Sequence, residues 1–169
     1  MNLFRYLTIT ITFLSAAAFG QNQTAATYPK IAGYVGIMHP IVTFSSAGTD
    51  TNFGSHYVVS MPVGINIWKS QKVGFSAEFV PTLRAENGSS KMNNFTFHPG
   101  VLLALGSGFT FAGRLAFETS GRYGLTPVLN KTVIKSKSCS YFAAVPLPLR
   151  FGNDKPASFT LGFQFGIAF

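Results

Sequence analysis

The last thirteen residues of the chain, ASFTLGFQFGIAF from Ala157 to Phe169, restrict the fold more than any other stretch. Phe159, Leu161, Phe163, Phe165, Ile167 and Phe169 take every second position, and Thr160, Gly162, Gln164, Gly166 and Ala168 fill the positions between. A two-residue period is that of a β-strand, whose side chains point alternately to opposite faces. One face therefore carries six large hydrophobes. A soluble β-sandwich would have to cover that face with a second sheet, whereas in a membrane β-barrel it points at lipid.

The rest of the chain repeats the pattern. A first strand is expected over Lys30–Phe44, made irregular or bulged in its upper part by Pro40. Ser45–Ser55 reads as a polar loop. A second strand sets Tyr57, Val59, Met61, Val63, Ile65 and Ile67 on one face and closes with the turn Lys69–Lys72. The third sets Phe75, Ala77, Phe79, Pro81 and Leu83 against Gly74, Ser76, Glu78, Val80, Thr82 and Arg84, and Ala85–Asn94 reads as a second polar loop. The fourth alternates from Phe95 to Leu105 and ends at the tight turn Gly106–Gly108. The fifth sets Phe109, Phe111, Leu115 and Phe117 against Arg114, Ala116 and Glu118. Arg122–Ile134 is read as a sixth strand although Pro127 and Asn130 interrupt it and neither parity is cleanly apolar. Ser140–Phe151 is the seventh, with Pro146, Pro148 and Arg150 on one face, and the C-terminal strand is the eighth. An even count of strands, each as long as the 9–11 or so residues that a tilted strand needs to cross a bilayer, predicts one all-β antiparallel eight-stranded up-and-down transmembrane β-barrel.

The two faces argue in the same direction. The apolar face is almost unbroken Phe, Leu, Val and Ile, and the other is Gly, Ala, Ser and Thr with Glu78, Arg84, Arg114, Glu118 and Arg150. A soluble ligand-carrying barrel has the opposite arrangement. These five charges are expected to form a lumen network of ion pairs and hydrogen bonds, with His98 and Gln164 nearby, because unpaired charge in a narrow interior is costly. An eight-stranded interior is just wide enough to be filled by side chains, which favours a plug over a pore.

The chain's ending, Phe165, Ile167 and Phe169 with Leu161 and Phe163 behind them, resembles the terminal strand of the small outer-membrane barrels of the outer membrane protein A and X type. The resemblance implies a Gram-negative outer-membrane location, no extra periplasmic domain, and recognition of those three residues by the barrel-assembly machinery. It also implies contact with outer-membrane lipid, including lipopolysaccharide, and a monomer. Residues 1–20 fit a cleavable signal peptide: a basic start ending at Arg5, an apolar run over Tyr6–Leu14, and small residues at Ala18 and Gly20. The mature domain is then 21–169.

Composition excludes several classes. Of 13 Lys and Arg against 5 Asp and Glu, Arg5 leaves with the signal peptide, and the remaining cations sit mostly at segment ends, Lys69, Lys72, Lys91, Lys135, Lys137 and Lys155, rather than in a basic stripe for nucleic acid. Cys139 is the single cysteine, so no internal disulfide forms. The three histidines are scattered, which gives no metal cluster, and no phosphate-binding glycine loop precedes a helix. His56 and Ser60 share a face but lie about 13 Å apart along a strand, too far for a base and its nucleophile. Asp50, Ser55 and His56 are the one local grouping with hydrolytic residue types. No catalytic, cofactor or metal residues are assigned. The expected role is non-enzymatic, structural or surface-interacting. The alternatives are a narrow porin-like channel or small apolar-solute conduit, a lipid-modifying enzyme at the membrane rim, and a soluble exported β-sandwich.

Overall fold

In a computed structural model the chain is described from residue 27 to 169; the signal-peptide assignment lies outside those residues. The strands are β1 (Lys30–Ser45), β2 (Gly48–Thr51), β3 (His56–Ser60), β4 (Val63–Trp68), β5 (Val73–Glu86), β6 (Ser89–Gly106), β7 (Phe109–Glu118), β8 (Tyr123–Lys135), β9 (Ser140–Pro146), β10 (Leu149–Phe151) and β11 (Ser158–Ala168). All pairings are antiparallel, and β1 pairs with β11, so the sheet closes on itself.

The eleven strands make a ring of eight. Two of the expected strands are each broken in two, β3/β4 at Met61–Pro62 and β9/β10 at Leu147–Pro148. Each break faces another proline on the neighbouring strand: Met61 donates to the Pro81 carbonyl at 3.0 Å, and Leu147 to that of Pro127 at 2.8 Å. Neither Pro81 nor Pro127 has an N–H to return, so the ladder loses a rung at each place. The third extra strand, β2, is an addition to the wall and is described below.

Following paired residues once around the ring gives Tyr34, Gly64, Glu78 and His98, then Ala116, Gly124, Arg150, Ser158 and finally Ser45. The path returns to β1 eleven residues further on, one of which is the bulge beside Pro40. Such a stagger goes with strands tilted by roughly 35–45° and with an interior that side chains can fill.

Two expected loops change, and the expected sixth strand is present. Ala85–Asn94 is not a loop: β5 and β6 run on as a hairpin to a two-residue turn, Asn87–Gly88, with positive φ at both residues. It reads as a loop because both of its faces are polar there. Ser45–Ser55 contains β2. The sixth strand is formed despite Pro127, as β8, and pairs along β7.

The lumen is tight. A β-carbon at Gly166 would collide with the Val35 carbonyl, the Phe142 ring and Gly36, whereas one on outward Gly113 would meet nothing nearer than Phe111 at 3.6 Å. Gly166→Ala is therefore expected to destabilise the barrel by about 1–3 kcal/mol, and Gly113→Ala by less than about 0.5 kcal/mol. Urea unfolding followed by the fluorescence of Trp68, the single tryptophan, reads the difference.

Candidate functional site

Three of the eight strands of the ring send charged side chains inward, Glu78 and Arg84 from β5, Arg114 and Glu118 from β7 and Arg150 from β10, because strand parity leaves those positions no other direction. At mid-height Glu78 is buried, with 3% of its surface exposed. Its carboxylate accepts hydrogen bonds from the Tyr34 hydroxyl (2.8 Å) and His98 Nδ1 (2.9 Å), and Arg114 Nη1 lies 3.6 Å away. Arg114 in turn donates to the Tyr34 hydroxyl (3.1 Å) and Ser76 Oγ (3.3 Å). On the far side of the imidazole, Arg150 Nη2 stands 3.0 Å from His98 Nε2. A guanidinium only donates, so Nε2 accepts and the imidazole proton belongs on Nδ1, directed at Glu78. Arg150 also binds Glu118 Oε1 through Nε (2.6 Å) and Thr126 Oγ1 through Nη1 (3.0 Å). The Glu118 carboxylate takes further hydrogen bonds from Asn94 (3.1 Å) and Ser120 (2.9 Å).

The result is one continuous chain of groups, Tyr34–Glu78–His98–Arg150–Glu118, with Arg114 at its inner end. Two carboxylates face two guanidinium groups across a neutral imidazole, so the buried charge cancels within the lumen and almost every polar atom has a partner.

This network divides the interior. Toward the end that carries Lys30 and Phe169 lies a cavity of about 200 Å³ bounded by Asn66, Trp68, Leu102, Phe142, Gln164 and Arg114. Toward the other end lies a cavity of about 280 Å³ bounded by Asp50, His56, Thr82, His98, Glu118 and Arg122 among others. The first is the more apolar of the two, and the second the more polar.

The structure brings Glu78, Arg114, Glu118 and Arg150 together and leaves Arg84 out. Arg84 shares their face but lies higher, on the projecting β5–β6 hairpin, where its Nε binds Glu86 at 3.1 Å in the same strand. Hydrogen bonding and charge from Arg84 hold the Glu86 carboxyl below the ordinary carboxylate range. Sequence reading missed Tyr34, Ser76 and Thr126, whose inward parity was legible but whose partners lie 24 to 80 residues away in sequence. Of the hydrolytic grouping, Asp50 and His56 do meet, at 3.4 Å. Ser55 lies with His56 and Tyr57 in a shallow depression, and among the described residues no hydroxyl hydrogen-bonds to His56. Among the described residues no three metal-binding side chains cluster. Phe165 is exposed on the outside wall, as is Phe169, whose N–H and C=O pair with Gly33 at 2.9 Å and hold the end of the chain to β1. Ile167, between them on the same face, pairs with Val35.

No protein-family model matches the chain, and no curated protein matches it. Among solved structures it is similar to a de novo designed transmembrane β-barrel, at 10% identity over 85% of this chain and 97% of the other, with a TM-score of 0.49. It is also similar to a second designed barrel, TMB2.3, solved by solution NMR, at 10% identity over 83% of this chain and 93% of the other, with a TM-score of 0.46. Neither likeness reaches a TM-score of 0.5, and the barrel is defined by its own closed register.

Proposed function

We propose that the chain is an integral β-barrel of a bacterial outer membrane, with a non-enzymatic structural or surface-interaction role and a lumen closed by its charge network. The observation that carries this reading is the inverted distribution of hydrophobes. Among the described residues thirty-five large apolar side chains are exposed, Phe79, Leu115, Phe163 and Phe165 on the outer wall among them, while the buried interior holds Glu78, His98, Arg114, Arg150 and Gln164. Soluble proteins rarely expose a contiguous apolar patch beyond a few hundred Å²; in lipid this surface is the favourable one, and a closed barrel leaves no strand edge unpaired in the hydrocarbon. Aromatic side chains gather toward the two rims, Phe44, Phe95, Tyr123, Phe151 and Phe159 at one and Phe109, Tyr141 and Phe169 at the other, as at membrane interfaces.

In this reading residues 1–20 export the chain, Phe165, Ile167 and Phe169 are the assembly signal, and the barrel acts as a monomer in contact with outer-membrane lipid, including lipopolysaccharide. Its long β5–β6 hairpin and the β1–β3 connection face outward as contact surfaces. The second reading, a narrow channel, draws on the two cavities, which the central network alone separates.

Cell fractionation with gel mobility of boiled and unboiled samples tests the proposal. The full chain is expected in the outer membrane with a shift on boiling, and a chain lacking Phe169 is expected to accumulate unassembled. A soluble periplasmic protein with no shift would overturn the membrane reading. Planar-bilayer recording separates the two roles: the closed barrel is expected to be silent, and steady conductance would establish the channel.

A further inference from the structure

The ring is interrupted at one place. Over Val42–Ser45, β1 pairs with β11 on one side and with β2 on the other, so β3 has no access to it there. β1 and β3 share a single residue pair, Met38 with Ser60. The wall at this end is therefore nine strands wide, and between β2 and β3 there is no backbone ladder. Only side chains bridge the gap: Asp50 on β2 lies 3.4 Å from His56 on β3, and Asn52 makes the hydrogen bonds. Asn52 Nδ2 donates to the Val58 carbonyl (2.8 Å) and its Oδ1 accepts from the Val58 N–H (2.7 Å), while the Asn52 N–H binds the Ile41 carbonyl (3.1 Å). A side-chain amide opens by rotation about its own bonds, whereas a backbone rung does not.

Both sides of this seam carry recognition groups. On the outer surface Phe53, held at φ 69°, packs against Tyr57 and His39 with ring centroids 5.4 and 5.9 Å away, and His39 also lies beside Phe165. The Tyr57 hydroxyl hydrogen-bonds His39 Nδ1 at 3.1 Å, which places polar atoms on an otherwise apolar wall. On the inner surface the 280 Å³ cavity is lined by Asp50, Asn52, His56 and Arg122. Its other cations are matched: Arg150 by Glu118, Arg84 by Glu86. Arg122 forms no ion pair among the described residues. It donates to the carbonyls of Arg150 and Pro156 and to Ser158 Oγ, on the strand next to β1, and its Nε has no partner.

We propose that the β2–β3 seam is a lateral binding site for a net-anionic, phosphate-headed lipid of the outer leaflet, its head in the cavity facing Arg122 and His56 and its chain on the shelf formed by Phe53, Tyr57, His39 and Phe165. An uncompensated guanidinium selects an oxyanion. The aromatic shelf, which runs along the wall from Phe53 to Phe165, supplies apolar contact for the lipid chain. The site rests on the membrane reading above, since it draws its ligand from the bilayer.

The test uses the full barrel carrying Phe53→Trp and Trp68→Phe, folded into phosphatidylcholine vesicles containing brominated phosphatidic acid or, separately, brominated phosphatidylcholine. Brominated chains quench a nearby indole. Phosphatidic acid is expected to quench at about fivefold lower mole fraction than phosphatidylcholine, the preference that one cation near an anionic lipid confers. Arg122→Gln added to this background is expected to abolish the preference while the heat-modifiable gel shift persists, and Lys155→Gln, at an exposed connection, is expected to keep it. Equal quenching by both lipids, or a preference that survives Arg122→Gln, overturns the seam site while leaving the membrane barrel standing. A protein that does not enter the vesicles and is quenched by neither lipid overturns both.

Discussion

Phe163→Arg is expected to cost about 2–4 kcal/mol of barrel stability, the penalty for a cation on the lipid face near the bilayer midplane. The position follows from the register. Phe163 is 45% exposed on the outer wall and pairs with His39, and the next residue, Gln164, points inward to the cavity that Arg114 also lines. It thus sits at the height of the buried network rather than at a rim. A guanidinium there has no strand end close enough for its head to reach water without bending the bilayer. Ser136→Arg, in the exposed turn between β8 and β9, provides the comparison and is expected to change stability by less than about 0.5 kcal/mol. Urea unfolding in vesicles, followed by Trp68 emission and by loss of the fast gel band, measures both. If arginine were equally tolerated at both positions, the Phe163 face would be wet or covered by protein, and the membrane reading would fail with it.

What the sequence made legible is what strand parity enforces. A side chain two positions along a strand returns to the same face, so the outward hydrophobes and the inward Glu78, Arg114, Glu118 and Arg150 follow from reading alternate residues. Parity says nothing about which strand an inward group meets. Tyr34 reaches Glu78 across 44 residues of sequence and Arg150 reaches His98 across 52, and both contacts depend on the stagger of the closed ring. Arg84 shows the same limit: its parity matches the network, but its height along β5 puts it beside Glu86. The seam was hidden for a different reason. Residues 45–55 are polar and rich in Gly and Ser, a composition that fits a loop, and nothing local distinguishes a segment that folds back on β1 from one that does not.

Removing one partner of the central pair is expected to be the most damaging interior change. Arg114→Met leaves Glu78 buried with Tyr34 and His98 as its hydrogen-bond partners and no guanidinium, and an uncompensated buried charge of this kind costs about 3–5 kcal/mol. Glu78→Gln alone strands Arg114 instead and is expected to be nearly as harmful. The double substitution removes both charges at once, so it is expected to recover a large part of the loss, and the departure from additivity measures the pairing itself. Arg84→Met supplies the contrast, since its exposed partner Glu86 makes a pair worth no more than about 1 kcal/mol. Conductance gives an independent reading of the same site. With Arg114 shortened, the barrier between the two cavities loses its widest side chain, and a silent barrel is expected to begin passing ions, whereas Arg84→Met is expected to stay silent. Full stability and continued silence for Arg114→Met would mean that neither the fold nor the closure of the lumen depends on the charges that parity gathers there.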